Sequence, residues 1–206
     1  MNGNLFDKKD VLKSYHTSDY DILKAIQTLY LNGNDWDLDP CYSKGLIYDG
    51  LKAPSKKLDK YPEENSDVVY NNILFGLPYD ANTINNIVFD PPFMFGKHGQ
   101  TENSVMTKSF TMFDQWEDLE EMYKTALSEF YRVLVRGGIV AFKCQDYTDS
   151  TTTLTHCYVH NWALEAGLKV EDIFILIFMK GRLWNSNLLQ RHARKYHCYW
   201  LVLRKP

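Results

Sequence analysis

The chain has 206 residues, 45% hydrophobic and 15% aromatic, with 23 Lys and Arg against 26 Asp and Glu for a net charge of -3. That length supports one good hydrophobic core and hardly a second, so a single domain spanning residues 1–206 is expected. The charge excludes a polycation that coats nucleic acid over its whole surface, although past Asp172 there are seven basic residues and no acid.

In chain order, Ser18 is an N-cap type residue. From it SDYDILKAIQTLYLNGN sets Ile22, Leu23, Ile26, Leu29 and Tyr30 on one stripe and stops at Asn and Gly, which predicts a helix. DWDLD reads as a short strand ending at Asp39, and KKLD as a weaker one ending at Asp59. LKAPSKKLDKYPEENSD has the composition of an exposed polar loop. DVVYNN and INNIVFD follow as strands, separated by a turn through Gly76, Pro78 and Asp80.

A long helix is expected from Asp114 or Gln115 through WEDLEEMYKTALSEFYRVL, closed by GG. Its early acids Asp114, Glu117, Asp118, Glu120 and Glu121 sit where the helix dipole favours negative charge. GGIVAFKCQD then reads as a strand, TTTLTHCYVHNWALEAGL as a helix closed by Gly167, and KVEDIFILIFMK and HCYWLVLRKP as two last strands. Strands alternating with helices predict an α/β sheet, mostly parallel and flanked by helices. Ligands of such sheets bind beyond the carboxyl ends of the strands, where Asp39, Asp59, Asn72, Asp90 and Asp146 are expected.

Cys41, Cys144, Cys157 and Cys198 are far apart, with neither a CxxC pair nor the spacing of a disulfide scaffold, which fits reduced thiols in the cytoplasm. His156 and His160 are four apart, yet no acid or cysteine follows them at a useful interval, so no metal site is expected. No apolar run reaches the roughly 18 residues of a membrane span, and MNGNLFDKKD lacks a hydrophobic signal core.

The stretch IVFDPPFMFG, residues 87–96, carries the most chemistry. Asp90 and Pro91 each precede a proline, which pushes both to extended backbone, and neither Pro91 nor Pro92 has an N–H. A stiff corner results, offering the Asp90 carboxylate and the Pro91 carbonyl as acceptors beside the Phe93 ring. A flat molecule bearing an NH2 group, such as adenine or cytosine, suits that corner. Two acceptors gripping both N–H bonds turn the amine's delocalised lone pair toward an electrophile, and Phe93 stacks the base for about 1–3 kcal/mol. Upstream, LDPCYSKG joins a strand end to a glycine-containing turn of the kind that brings backbone close to a cofactor. It lacks the G-x-G-x-x-G of dinucleotide binders.

Together the two stretches resemble the amino-methylating DNA methyltransferases of the N6-adenine and N4-cytosine type, whose cofactor motif is D-P-F-x-G-x-G and whose catalytic motif is [D/N/S]-P-P-[Y/F/W]. Asp39, Pro40, Tyr42 and Gly45 follow the first motif, with Cys41 in place of its Phe, Ser43 in place of its first Gly and Lys44 between. Asp90, Pro91, Pro92 and Phe93 match the second in full. FYRVLVRGGIVAFKCQD and HARKYHCYWLVLRKP look like later parts of the same family. DP-x-YSKG, FDPPF, FKCQD and HARK-x-H together look like the small methylases of phages and mobile elements, acting in a bacterial cytoplasm.

The resemblance implies a Rossmann-like fold with a seven-stranded sheet, S-adenosylmethionine as methyl donor, and transfer to adenine N6 in DNA. Cytosine N4, RNA, or a degenerate homologue that only binds nucleic acid or protein are the alternatives. It also implies cofactor contacts from residues 39–45, Asp59 at the ribose hydroxyls, Asn72 at the adenine edge, and His16 and Thr17 at the methionine end. Residues 96–110 read as a lid in which Lys97, His98 and Lys108 touch phosphates. The basic stretch with Lys180, Arg182, Arg191, Arg194 and Lys195 reads as a second nucleic-acid surface. A dimer is compatible with the sequence.

Overall fold

A computed structural model describes residues 11–95, 113–148, 151–179 and 191–206. Its main sheet holds eight strands: β1 (Tyr15–His16), β2 (Leu38–Asp39), β3 (Lys56–Asp59), β4 (Val69–Tyr70), β5 (Ile84–Phe89), β6 (Leu134–Cys144), β9 (Lys169–Ile177) and β10 (His197–Arg204). β7 (Tyr147–Thr148) and β8 (Thr152–Thr153) form a separate hairpin. Among the described residues three α-helices accompany them: α1 (Asp19–Tyr30), α2 (Trp116–Val133) and α3 (Thr155–Glu165). Among the described residues no helix is long and apolar enough to cross a membrane.

The strand order is β1-β9-β10-β6-β5-β2-β3-β4. Every pairing is parallel except those of β10, which runs antiparallel to both β6 and β9. The expected sheet of seven strands thus has eight. The addition is β1, an edge strand of two residues, too short to leave a periodic signature in sequence.

The chain moves outward from β2 to β3 and β4, then returns to place β5 on the other side of β2. This reversal of strand order is where doubly wound sheets open a crevice at their carboxyl ends. β2 touches β5 through one register pair, Leu38 opposite Ile87. Asn86 reinforces that join: its Oδ1 accepts from the Asp37 amide at 2.8 Å and its Nδ2 donates to the Asp35 carbonyl at 3.2 Å.

The central strands are apolar on both faces, as expected of strands covered by helices on each side. Ile87, Phe89, Val140, Phe142, Leu201 and Leu203 pack with Leu119, Tyr123, Leu127 and Phe130 of α2 and with Val159 and Trp162 of α3. Phe89 meets Phe130 and Phe142 edge-on, with centroids 5.0 and 4.9 Å apart. On the other face Val88, Ile139, Ala141, Trp200 and Val202 pack with Ile22, Leu23 and Ile26 of α1. The two-residue alternation of a strand therefore aims Lys143, two beyond Ala141, at the α1 side.

Two boundaries differ from expectation. Gly137 and Gly138 do not close α2: the helix ends at Val133, β6 begins at Leu134, and the glycines lie where the β5–β6 register shifts. Gly138 is needed there because a Cβ would press on the Asn85 and Val135 carbonyls. Thr152 and Thr153 belong to β8 rather than to the helix, which begins at Thr155. The β-branched threonines pair across the hairpin with Thr148 and Tyr147.

Candidate active site

β2 and β5 end side by side, so Asp39 and the corner at Asp90 share one end of the sheet. Asp39 is buried. Its Oδ1 accepts from the Cys41 amide at 2.8 Å, bending the chain just past β2, and its Oδ2 accepts from the Tyr48 hydroxyl at 2.7 Å. Burial pushes its carboxyl up to about 7 against these two bonds, and the charges of Asp90 and Asp59 add to the rise. Burial likewise raises the Cys41 thiol and the Tyr48 hydroxyl.

Within the 39–45 loop, Ser43 takes the left-handed backbone (φ 50°). The serine standing where the resembled motif has glycine therefore adopts glycine's conformation, at some steric cost. Gly45 is also left-handed (φ 64°), and a Cβ there would collide with the Tyr42 ring. Tyr42 stacks on Tyr48 with centroids 5.7 Å apart. A cleft of about 580 Å³ opens beside this loop, lined by Tyr42, Gly45, Leu46, Tyr48, Asp49 and Leu51 among others.

Asp59, at the end of β3, accepts from the Ser43 amide through Oδ2 (2.8 Å) and from the Tyr61 amide through Oδ1 (2.7 Å). It clamps the loop to the next strand and keeps further lone pairs for a diol. Asn72 caps a short helical turn, its Oδ1 accepting from the Leu74 amide at 3.2 Å. Its amide group, rather than a carboxylate, is what remains for a ligand. His16 lies in β1 with Nε2 2.8 Å from the Lys13 carbonyl oxygen, and Thr17 follows in the turn into α1. Lys44 pairs with Glu63 at 3.0 Å on the surface, and Pro40 is buried.

Just past the end of β5, Lys143 Nζ lies 2.9 Å from Asp90 Oδ2 and 3.0 Å from Asp19 Oδ1. It also sits 5.1 Å from the Trp200 ring centroid, and Trp200 Nε1 donates to Asp19 at 3.0 Å. Burial raises the Asp90 carboxyl above its ordinary range; Lys143 opposes that rise and Asp19 adds to it. For Lys143 itself burial works against the charge, but Asp90 and Asp19 outweigh it and hold the ammonium above its usual range. The Tyr123 hydroxyl donates to the Pro92 carbonyl at 3.1 Å and ties the corner down to α2. Phe93 is half-buried beside it.

The fold thus brings Asp39, Asp59 and Asp90 to one end of the sheet. Sequence reasoning missed Lys143, Asp19, Tyr48 and Tyr123. Lys143 carried a signal, since an ammonium between Phe142 and Cys144 in an apolar strand demands a buried partner. Asp19 carried none beyond its place at a helix start.

Lys97, His98, Lys108, Lys180 and Arg182, with the whole of the expected 96–110 lid, lie outside the described residues. Arg191 and Arg194 are exposed and Lys195 half-buried on the stretch entering β10 at this end of the sheet. Two other basic residues of the tail are at the opposite end: Arg204 donates to Glu171 (2.9 Å), and Lys205 donates to Asn82 (2.7 Å) and to the Leu134 carbonyl (2.8 Å). Among the described residues the C-terminal positive charge is therefore divided between two ends, because β10 carries it across the sheet.

No family model matches the chain, and no curated protein matches it. Among solved structures, the complex between the Haloferax volcanii Trm112 methyltransferase activator and a protein described as a methyltransferase aligns over 89% of this chain and 93% of that one, with 12% identity and a TM-score of 0.50. The chain shares the α/β fold of that methyltransferase. A protein described as an S-adenosylmethionine-dependent methyltransferase from Methanosarcina mazei aligns over 87% of this chain and 96% of that chain, with 12% identity and a TM-score of 0.48. A Thermus thermophilus protein described as a DNA modification methylase, complexed with S-adenosyl-L-methionine, aligns over 65% of this chain and 52% of that chain, with 15% identity and a TM-score of 0.41. The chain spans about half the length of that Thermus methylase. In this sheet the reversal falls between β2, which ends in Asp39, and β5, which leads into Asp90.

Proposed function

We propose that this chain is one catalytic domain that transfers a methyl group from S-adenosylmethionine to N6 of adenine in DNA. The observation that carries the reading is the meeting of two motif-bearing corners: Asp39 and Asp90 end neighbouring parallel strands at the point of sheet reversal.

The residues present fit the cofactor. The turn at Gly45 and the cleft beside Tyr42 and Tyr48 give room along residues 39–45. Asp59 keeps acceptor capacity for ribose hydroxyls, Asn72 offers its amide to an adenine edge, and His16 and Thr17 are assigned to the methionine end. When bound, S-adenosylmethionine supplies a methyl on a sulfonium that is already a good leaving group.

The chain's own work is positioning. The Asp90 carboxylate and the Pro91 carbonyl accept the two N–H bonds of the target amine, fixing its lone pair in one direction; such alignment supplies about 7–11 kcal/mol. Lys143 favours the carboxylate form of Asp90 and fixes its orientation, while Tyr123 holds the carbonyl of Pro92. Phe93 stacks the base, compensating part of the few kcal/mol of unstacking. Lys97, His98, Lys108, Lys180, Arg182, Arg191, Arg194 and Lys195 are assigned to the phosphates.

The test is incorporation of labelled methyl from S-adenosylmethionine into duplex DNA, single-stranded DNA and RNA, followed by nucleoside mass spectrometry. N6-methyladenine in DNA is expected. N4-methylcytosine or labelling of RNA alone would replace the substrate and keep the site, whereas binding of nucleic acid without methyl transfer would mark a degenerate homologue.

A further inference from the structure

Beyond the crevice, β6 ends in a second polar cluster that the methyl-transfer reading does not use. The Asp146 side chain is 3% exposed, and its Oδ1 lies 2.7 Å from His156 Nδ1 and accepts from the His156 amide at 3.3 Å. Its Oδ2 accepts from the Tyr199 hydroxyl at 3.4 Å, and that hydroxyl is 3.0 Å from His197 Nε2. The His156 and Tyr199 rings lie against each other, with centroids 4.2 Å apart. The imidazole is thus fixed on two sides, with the proton on the nitrogen that faces the carboxylate. Its other nitrogen, Nε2, is 3.4 Å from the sulfur of Cys157.

Cys157 is exposed, whereas Cys144 and Cys198 are buried and Cys41 is half-buried. It lies in the first turn of α3, its amide bonded to the Leu154 carbonyl at 3.0 Å. A thiol, an imidazole and a buried carboxylate in this order form the arrangement by which proteins activate a nucleophile.

We propose that Cys157 is a reactive modification site, its thiol giving up its proton to His156, which Asp146 orients, and its sulfur attacking a hydroperoxide. An S–O bond forms as the O–O bond breaks. The sulfur loses two electrons and becomes a sulfenic acid, the peroxide is reduced to water or an alcohol, and the proton held on His156 Nε2 passes to the leaving oxygen. The position sets the reagent class, since an open helix surface admits a small reagent without a binding pocket.

The test uses the full chain, hydrogen peroxide as probe, dimedone to trap sulfenic acid, and peptide mass spectrometry to read the rate at each cysteine. Cys157 in the native chain should react at least about tenfold faster than the same cysteine in urea, the effect of a positioned base. His156→Gln, with an unchanged circular dichroism spectrum, should remove most of that gain. Asp90→Ala should leave it intact, separating this site from the methyl-transfer reading. Exposure alone predicts equal rates for native and unfolded chain and for the folded variant, and either equality would overturn the proposal. Should His156→Gln fail to fold, the native-against-urea comparison decides by itself.

Discussion

Lys143 and Asp90 meet at 2.9 Å across the adjacent strands β6 and β5, with Asp19 at 3.0 Å completing the bridge from α1. The ammonium is the counter-charge that offsets burial of the Asp90 carboxyl, whose pKa lies above the ordinary carboxylate range. A carboxylate that must accept an N–H bond is inactive once protonated, so the rate should fall as pH drops through the Asp90 pKa. Lys143→Met removes the group that pulls this pKa down. The acid limb of the kcat profile should then move to higher pH. An acid limb that stays in place would show that Lys143 only supports the fold.

Tyr48→Phe takes away the hydroxyl that donates to Asp39 at 2.7 Å and leaves a buried oxygen without that donor. The loss should cost about 1–3 kcal/mol, read as a lower denaturation midpoint at unchanged slope.

Asp39 also makes stability depend on pH. Its folded carboxyl is raised from 3.8 to about 7, so between those values the native chain holds a proton that the unfolded chain has lost. This group's contribution therefore falls as pH rises through that window. Asp39→Asn should flatten that part of the stability profile, measured by urea unfolding at several pH values. An unchanged slope would place the titration elsewhere.

Gly45→Ala forces a side chain into left-handed backbone and against the Tyr42 ring. Affinity for S-adenosylmethionine, measured by calorimetry, should weaken at least about tenfold, the equivalent of the 1–2 kcal/mol such a backbone costs. Equal affinity would remove residues 42–45 from the cofactor contacts.

The central strands and the helices α1, α2 and α3 were legible because their signals are long: α1 carries a cap at Ser18 and a stripe from Ile22 to Ile26, and β5 is a largely apolar run leading into Asp90. β1 and the β7–β8 hairpin, two residues per strand, were not, since so few residues set no period. Gly137 and Gly138 misled because a glycine pair closes helices and accommodates irregular strands equally well, and only the pairing to β5 decides. Asp39 and Asp90 could be found from their motifs. Their electrostatics could not, since Asp19 and Lys143 are 124 residues apart in sequence and meet only once α1 lies on the sheet.

Methyl transfer by wild-type chain and by Asp90→Ala, compared on adenine-containing DNA at saturating S-adenosylmethionine, tests the central claim most directly. The wild type should yield N6-methyladenine, and the variant should yield none while still binding the cofactor. A variant that methylates at the wild-type rate would contradict the assignment of the Asp90 corner as the grip on the target amine.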